Sequence, residues 1–512
     1  MTQWTYYHPV VFTLTFFSYA CFHAARKTFS NVKSTMAAEW TPQPENVSIT
    51  HSAFRTPASL WDGRTMFSTN DDAEEFMGVL DASFMFAYAV GLYLSGFIAD
   101  RHDLRLVLGS GMCLTAVTVF VFGPLFEWTH FYSKPAYLIV WILNGLLQST
   151  GWPSVVAVMG NWFGKGSRGF ILGLWSACAS VGNILGALMV SAVLDYGYEY
   201  AFLLTSGLLL AMGLIIFVGL VPSPRDVGLP MPDGDESGES IQRKDVDSLK
   251  KPLLCASEND DDETVTKEPV IYDIQDTKPK AIGFFRAFLL PGVIPYSLSY
   301  ACLKLVNYCF FFWLPFYLSN AYNLKEIVAD ELSIWYDIGG IIGGTIAGFI
   351  SDRFQKRAIV VIPMLVLAMP VLFIYGLTTL AGTIIKNAVI LFWLGSMIGG
   401  VANLISAAIS ADLGRQKALQ RNREALSTVT GIVDGTGSLG AALGQVALPY
   451  LEVAYSWHTV FYLFMVMTFL TALCIAPIFI REAYEMCKCK YSACLKCTRH
   501  EEEMTGIQDC EN

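Results

Sequence analysis

Apolar residues cluster into twelve blocks along this chain of 512 residues, and polar or charged stretches separate the blocks. The first six blocks lie roughly at 9–31, 75–99, 106–126, 135–158, 170–194 and 200–221, and the second six at 289–319, 329–350, 359–379, 386–410, 428–451 and 457–480. An α-helix needs about 20 apolar residues to cross the hydrocarbon core of a bilayer. The pattern therefore predicts an all-α membrane protein with twelve transmembrane helices.

A sequence of ten residues occurs once in each half of the chain. GFIADRHDLR runs from Gly96 to Arg105 and GFISDRFQKR from Gly348 to Arg357, and six positions are identical. Each copy ends an apolar block and begins a charged stretch. Such repeats are typical of secondary transporters, which are built from two related halves. The repeat predicts two pseudo-symmetric six-helix bundles, an N-terminal one over residues 1–221 and a C-terminal one over residues 289–480.

The segments outside the two bundles are polar. Residues 222–288 are rich in acidic residues with scattered Pro and Gly, a composition that predicts a disordered linker. Residues 481–512 form a Cys-rich tail that holds five of the twelve cysteines. Cysteines among lysines beside a membrane are typical of S-palmitoylation, with plain free thiols as the alternative. They are too closely spaced for the chain to fold readily around zinc, so no metal site is expected.

The distribution of charge predicts the orientation in the membrane. If residue 1 lies in the cytosol, the segments on its side hold 25 of the 34 Lys and Arg residues, and those on the far side hold six. Positive residues favour the cytosolic side, so both termini and the linker are expected there. The single Asn-x-Ser/Thr sequon, at Asn46, falls in the predicted luminal loop 32–74 and is a candidate glycosylation site, an unused sequon being the alternative.

Three basic residues, Arg26, Lys27 and Lys304, remain for the membrane region. Ionisable groups inside a membrane are costly and usually mark a substrate path. Lys304 lies near the middle of the seventh block, too deep for its ammonium to reach either interface easily. Lys304 is therefore a candidate for the transport path, and the alternative is a structural pair with a buried acid such as Asp337 or Asp434.

The depth of Arg26 depends on where the first helix ends. The apolar run Val10–Ala25 has only 16 residues, so a helix ending there would leave Arg26 as an anchor at the luminal interface. A helix that continued through Thr28–Met36 would put Arg26 in the interior, with Tyr19 two turns away on the same face. Basic residues and a Tyr meeting Lys304 between the halves would form an anion site, because the guanidinium fork matches phosphate oxygens.

The acidic residues of the second half have two interpretations. Asp434 lies among small residues of the eleventh block, where helices can pack closely. It is interpreted as a proton-binding or salt-bridging residue or, equally, as a buried acid bonded to neighbouring hydroxyls. Asp337 of the eighth block is the other candidate acid.

The two decapeptides indicate a gate. The charge pairs available are Asp100 with Arg101 and Arg105 in the first copy, and Asp352 with Arg353, Lys356 and Arg357 in the second. Pairs of this kind between helices would close the cytosolic side in one state and break in the other. The alternative is a positive loop without a role in gating.

The decapeptide, the twelve helices and the cytosolic middle loop resemble the major facilitator superfamily, whose loop motif has the form G-x-x-x-D-R-x-x-x-R. Three tracts resemble the organophosphate:phosphate antiporters and their eukaryotic sugar-phosphate exchanger branch. They are YACFHAARKTFS from Tyr19, NGLLQSTGWPSVVAVMGNWFGKGSRG from Asn144 and ALSTVTGIVDGTGSLGAALGQ from Ala425. The resemblance implies two six-helix bundles, rocker-switch alternating access, residence in the endoplasmic reticulum or lysosome, and antiport of a phosphorylated solute against inorganic phosphate.

The resemblance also implies roles for residues of the first helix. Arg26 matches the family's first phosphate-binding Arg, with Tyr19 in its usual place seven residues earlier and Lys27 as the basic neighbour. The bacterial members' His of helix five and Lys of helix two fall at Ala179 and Leu92. The chain thus keeps one anchor and lacks others.

In the seventh helix, the family's second basic residue lies six positions before a Trp. That Trp is Trp313 here, and the slot holds Asn307. Lys304 lies one turn earlier on the same face and could reach the same space.

These features predict a transmembrane secondary transporter of phosphorylated, sugar-phosphate-like organic anions, with antiport against inorganic phosphate by alternating access. The alternatives are a proton-coupled carrier of another small solute and a non-transporting membrane scaffold. No nucleophile–base arrangement, P-loop or metal-ligand spacing is evident in the sequence of the membrane part, so no enzyme activity, cofactor or metal is expected. The expected partners are the anionic substrate, inorganic phosphate and the lipid bilayer, and the need for an accessory membrane subunit is left open.

Overall fold

The computed structural model describes residues 4–42, 64–164, 168–232, 282–322, 326–377, 384–416 and 425–508. Asn46 and most of the predicted linker 222–288 lie outside the described residues. Helices and their connecting turns make up the part of the chain that is described, and no strand occurs there. The predicted all-α membrane fold is confirmed.

Six long helices form the first half. They are α1 (Tyr7–Glu39), α2 (Asn70–Ala99), α3 (Leu104–Trp128), α4 (Lys134–Gln148 and Gly151–Trp162), α5 (Arg168–Trp175 and Cys178–Val193) and α6 (Tyr198–Gly219). A π-helical turn at Val121–Leu125 in α3 contains Pro124. Proline removes a backbone donor, which commonly disturbs the regular helical ladder at such a point.

Six long helices follow in the second half. They are α7 (Val293–Tyr322), α8 (Glu326–Phe354), α9 (Ala358–Leu377), α10 (Ile384–Leu413), α11 (Leu426–Ala454) and α12 (Trp457–Gln508). Among the described residues, nine of the twelve helices combine the length and apolar composition of a membrane span. The other three, α1, α4 and α11, carry charged residues, a proline or many glycines, and each of them lines the central cavity described below.

The length of the first helix decides whether Arg26 is exposed at its end or buried within the protein. α1 continues to Glu39 instead of ending near residue 31, and apolar residues of the continuation, such as Val32 and Met36, are fully buried. Arg26 therefore lies within the helix and is itself buried. The alternative of an anchor at the membrane interface is wrong.

The last helix is also longer than its apolar block. α12 continues to Gln508, so the region predicted as a Cys-rich tail at 481–512 is helical over most of its length. No Pro or Gly occurs between Pro477 and Gly506, and the intervening residues are mostly good helix formers. The sequence therefore gives the helix no reason to end at the last apolar residue.

A break in α4 positions two side chains of the centre. Pro153 has no N–H to donate to the carbonyl four residues earlier, which belongs to Ser149. The hydroxyl of Ser95 on α2 donates to that carbonyl at 2.8 Å instead. The carbonyl therefore keeps a hydrogen-bond partner. The break lies between Gln148, which bonds Arg26, and Trp152, which lines the candidate site.

The two halves meet closely on the side that carries the decapeptides, which we call the decapeptide face. There α2 packs against α11 and α5 packs against α8. A Cβ atom at Gly96 would lie 2.5 Å from the carbonyl oxygen of Ser427, and one at Gly173 would lie 2.6 Å from that of Gly344. Glycine permits these backbone approaches because it has no side chain. The halves are therefore in contact at the decapeptide face.

Candidate functional site

A cavity of about 100 Å³ lies between the two halves. Helices α1, α4 and α5 line it from the first half, and α7, α8, α10 and α11 line it from the second. The charged side chains that line it are Lys27, Lys304, Asp337 and Asp434. A cavity at the midline of two repeats, lined by ionisable groups, is the arrangement expected of a transport site.

Arg26 lies beside this cavity and is 3% exposed. Its Nε and Nη2 atoms donate to Oε1 of Gln148 at 3.4 and 3.3 Å, and Nη1 donates to the hydroxyl of Tyr308 at 3.4 Å. The guanidinium also lies over the rings of Tyr88 and Phe84, at 4.5 and 5.5 Å from their centroids. Among the described residues, these hydrogen bonds from Arg26 all go to neutral oxygens. A buried cation held in this way retains attraction for an anion.

Lys304 is held differently. Its ammonium is 2% exposed, and it donates to Oδ1 of Asp434 and to the hydroxyl of Ser438, each at 2.8 Å. The rings of Tyr308 and Tyr300 lie at 5.0 and 5.3 Å. Of the two acids considered as partners from the sequence, the structure pairs Lys304 with Asp434. Asp434 is therefore a salt-bridging residue in this conformation.

Asp337 connects the halves at another point of the cavity. The hydroxyl of Ser180 on α5 donates to Oδ1 of Asp337 on α8 at 3.2 Å. Lys27 is close enough to attract this carboxylate, and its ammonium also lies 4.7 Å from the ring centroid of Phe311 on α7. Arg26 and Lys27 of α1 thus both contact the opposite half.

Tyr19 lies on the same face of α1 as Arg26, as the spacing predicts. Its hydroxyl lies 3.5 Å from that of Tyr88, whose ring also lies under the Arg26 guanidinium. Its ring lies 4.9 Å from His23 and 4.6 Å from Trp152. Tyr19 is therefore part of the aromatic wall of the cavity.

The remaining positions predicted from family resemblance also lie near the centre. Asn307 lines the cavity together with Lys304, and its Oδ1 accepts a hydrogen bond from Tyr336 at 2.8 Å. Ala179 lines the cavity as well, whereas Leu92 is buried in the packing of α2. Lys304 and Asn307 therefore share one space, as their spacing on α7 predicts.

Several residues at the site were missed from the sequence. Gln148, Tyr88, Tyr308 and Ser438 contact one or both of the buried cations Arg26 and Lys304. An amide inside an apolar helix is itself a sign of function, so Gln148 could have been found. Tyrosines and serines are common in this chain, and no pattern singles out the other three.

The first decapeptide contacts the opposite half through Asp100. Its two carboxylate oxygens accept hydrogen bonds from the backbone amides of Ser427 and Thr428, each at 2.7 Å, at the start of α11. Burial raises the pKa of the Asp100 carboxyl above its usual value, and the donors of Thr428 and Ser427 offset only part of this rise. The free amides and partial positive charge of a helix N-terminus suit a carboxylate.

The second decapeptide repeats this contact in the opposite direction. Oδ2 of Asp352 accepts a hydrogen bond at 2.7 Å from the amide of Phe170, near the start of α5 in the first half. Each half therefore offers one carboxylate to a helix N-terminus of the other. We call these the two carboxylate–amide contacts.

The basic residues of the two copies differ in their partners. Arg101 donates to the carbonyls of Phe97 and Ile282, and Arg105 donates to Asp103. The expected pairing of Asp100 with these two arginines is thus replaced by contact with backbone amides. The physical reason is that a helix N-terminus supplies two aligned donors within reach.

In the second copy the predicted charge pair does form. Nη1 of Arg357 donates to Asp352 at 2.7 Å, and Nε donates to Asp412 at 2.9 Å. Burial lowers the pKa of Arg357, but the carboxylates of Asp412 and Asp352 outweigh it and raise the pKa overall. Lys356 pairs with Glu485 on α12, and Arg353 is exposed.

Comparison with known proteins agrees with this geometry. A family model described as the Major Facilitator Superfamily matches residues 15–420. Sugar phosphate exchanger 3 of Mus musculus is 54% identical over 490 residues, which cover 95% of each chain. The chain belongs to the sugar-phosphate exchanger branch of the major facilitator superfamily. As a member of this superfamily it is a membrane transporter and not an enzyme.

More distant proteins share the fold of this superfamily member. Glucose-6-phosphate exchanger SLC37A2 of Mus musculus is 37% identical, with 93% of each chain covered. The solved structure of the proton:xylose symporter XylE matches with a TM-score of 0.62 at 12% identity, covering 92% of this chain and 96% of that one. At that identity, the likeness to XylE shows the major facilitator fold alone.

Proposed function

We propose that the chain carries a phosphorylated organic anion of the sugar-phosphate class across a membrane and exchanges it for inorganic phosphate. The proposal is supported by its relatives, which are named as exchangers of sugar phosphate and of glucose 6-phosphate. It is also supported by the concentration of buried positive charge at the interface between the halves.

The observation that carries the proposal is the environment of Arg26. Its guanidinium is 3% exposed and hydrogen-bonded to the neutral oxygens of Gln148 and Tyr308. An ionised group buried without a counter-charge is unfavourable, and an anionic ligand removes that cost. A phosphate group fits because its oxygens can accept two hydrogen bonds from the guanidinium fork.

The surroundings of Arg26 suggest how a ligand reaches it. Tyr308 and Tyr19 line the cavity, whereas Arg26 lies behind them. We expect phosphate to replace the Tyr308 hydroxyl as the partner of Nη1. Because Tyr308 belongs to α7 and Arg26 to α1, this exchange of partners changes a contact between the halves.

The conformation described here is closed at the decapeptide face. The two carboxylate–amide contacts join the halves there, and the cavity of about 100 Å³ is smaller than the several hundred Å³ of typical ligand pockets. We propose that the cavity widens toward the opposite side to admit its ligand. Breaking the two contacts would then open the decapeptide face.

Orientation and location complete the proposal. We propose that both termini and the decapeptide face lie in the cytosol and that the protein resides in the endoplasmic reticulum or lysosome. The Lys and Arg distribution supports this orientation. Replacement of Asn46 by Gln should remove a glycan-dependent shift in electrophoretic mobility; a shift that persists in the variant would refute use of this sequon.

The test of transport uses the purified full chain in liposomes loaded with inorganic phosphate. We expect uptake of labelled glucose 6-phosphate or glycerol 3-phosphate that depends on internal phosphate. Arg26→Ala should abolish the uptake, and Lys386→Ala, which removes one exposed positive charge at the start of α10, should not. Uptake by Arg26→Ala equal to that of the unaltered chain would overturn the site assignment.

Two further experiments with the same liposomes test for proton coupling and for an accessory subunit. Uptake driven by a pH gradient without internal phosphate would favour proton coupling, for which Asp337 and Asp434 in the cavity are the candidate carboxylates. Transport that appears only when a second membrane protein is added would show the need for an accessory subunit.

A further inference from the structure

The two buried cations of the site have different compensation. Lys304 and Asp434 form an ion pair of 2.8 Å, and their side chains are 2% and 4% exposed. Arg26 is equally buried but donates to Gln148 and Tyr308, which are neutral. The second half therefore supplies a counter-anion, Asp434, to its buried cation Lys304, whereas Arg26 of the first half is held by neutral groups.

The carboxylate of Asp434 occupies a position that a ligand oxygen could take. The ammonium of Lys304 has three donors, and two of them are used by Asp434 and Ser438. Both Lys304 and Asp434 line the cavity, so a bound anion would meet this pair directly. In a site of low dielectric constant, two anions sharing one cation repel each other strongly.

The balance of charge follows from the described residues. The positive groups at the cavity are Arg26, Lys27 and Lys304, and the negative groups are Asp337 and Asp434. The empty site therefore carries an excess of one positive charge. Without the Asp434 carboxylate the excess would be two.

We propose that Asp434 is a built-in counter-anion that determines how much negative charge the site accepts. With Asp434 in place, the site favours a singly charged phosphate over a doubly charged one. Asp434 is thus a specificity-determining residue. Because its carboxylate neutralises Lys304, Lys304 attracts the ligand less than Arg26 does. This inference rests on the proposed function, because it assigns the charge state of the same phosphate ligand.

The test compares two small probes that differ in one charge. Methyl phosphate is mainly a dianion at about pH 8, since the second pKa of a phosphate monoester is about 6. Dimethyl phosphate has a single acidic group and is a monoanion at the same pH. Titration calorimetry on the purified full chain gives the affinity for each probe and hence a dianion-to-monoanion selectivity ratio.

The expected results have opposite signs for two variants. Asp434→Asn should raise the selectivity ratio about tenfold, because Lys304 then lacks its counter-anion. Ser438→Asp places a second carboxylate beside Lys304 and should lower the ratio about tenfold. Asp434→Glu, which keeps the charge, should remain close to the ratio of the unaltered chain. If Asp434→Asn does not fold, Ser438→Asp carries the test.

The outcomes separate the inference from the proposed function. If both probes bind and Arg26→Ala weakens them, but neither variant alters the ratio, the inference is overturned and the proposed function stands. If the unaltered chain binds neither probe, the inference is overturned, and uptake of glucose 6-phosphate alone then decides the proposed function. Equal changes in affinity for the two probes would also contradict a role of Asp434 in selecting the ligand's charge, because a structural defect weakens the binding of both probes alike.

Discussion

The carboxylate of Asp100 accepts a hydrogen bond of 2.7 Å from the backbone amide of Ser427, across the boundary between the two halves. Its counterpart is Asp352, which accepts from the amide of Phe170 in the reverse direction. Both acceptors are acids of the repeated decapeptide, and both donors lie at helix N-termini. The repeat therefore encodes one contact used twice, and its two copies hold the same face closed.

Asp100→Asn should weaken this closure. The change removes the negative charge that the start of α11 attracts, at a cost of about 1–2 kcal/mol. Hydrogen–deuterium exchange of the first turn of α11 should become faster. Asp103→Asn is the matched control, because Asp103 lies in the same loop, is exposed and bonds Arg105 at the start of α3 within its own half. Equal exchange rates in the two variants would refute the role of Asp100.

Gly96→Ala should disfavour the same closed state by a different route. The added Cβ would lie 2.5 Å from the carbonyl oxygen of Ser427, and overpacking of this kind costs about 1–3 kcal/mol. Gly78→Ala on the same helix is the control, because nothing lies within 4 Å of its Cβ position. There, alanine should be neutral or stabilising by up to about 1 kcal/mol.

The measurement is the unfolding temperature of each glycine variant in detergent. We expect Gly96→Ala to unfold at a lower temperature than the unaltered chain and Gly78→Ala at the same or a higher one. A higher unfolding temperature for Gly96→Ala would contradict this prediction, because it would mean that the contact between the two halves accommodates the added methyl group without cost.

Much of the site could be predicted because buried charge is rare in a membrane chain. Arg26, Lys304 and Asp434 were found as ionisable residues in apolar surroundings, and the structure brings all three to the cavity or its edge. The cost of burying a charge explains why this inference succeeds. It needs only the sequence, since the apolar context is visible there.

The pairing of these groups could not be predicted. Whether Lys304 meets Asp337 or Asp434 depends on how α7, α8 and α11 pack, and a single sequence does not contain those distances. The partners of Asp100 are backbone amides, which every residue except proline has, so no sequence signal marks them. Side-chain types alone favoured Arg101 and Arg105 as its partners.

Arg357→Ala should be much more destabilising than Arg105→Ala, although the two residues occupy equivalent positions of the repeat. The Arg357 side chain is 11% exposed and bridges Asp352 and Asp412. Its removal leaves two partly buried carboxylates without this charged donor, which costs about 1–3 kcal/mol. The Arg105 side chain is 40% exposed and pairs with Asp103, itself exposed, so its removal should cost less than about 1 kcal/mol.

Thermal unfolding of the two arginine variants in detergent checks this difference. The expected order is the unaltered chain, then Arg105→Ala, then Arg357→Ala with a clearly lower unfolding temperature. Similar losses in the two variants would show that burial of the Arg357 network contributes little to stability.

Gln148→Glu should strongly weaken phosphate binding without unfolding the protein. The new carboxylate would replace the amide oxygen that accepts from Nε and Nη2 of Arg26. Arg26 would then have its own counter-anion, as Lys304 has Asp434, and we expect the affinity for inorganic phosphate to fall about 100-fold or more. The unfolding temperature should stay the same or rise, because an unpaired buried cation gains a partner.

The control for this variant is Gln148→Leu, which removes the hydrogen bonds of Arg26 without adding charge. It should lower the unfolding temperature, because buried donors lose their acceptor, and it should weaken phosphate binding less than Gln148→Glu does. Calorimetric titration with inorganic phosphate distinguishes the two variants, since only one of them neutralises the guanidinium. Phosphate binding by Gln148→Glu at the unaltered affinity would mean that the positive charge of Arg26 is not what attracts the ligand, and the assignment of the anion site to Arg26 would be wrong.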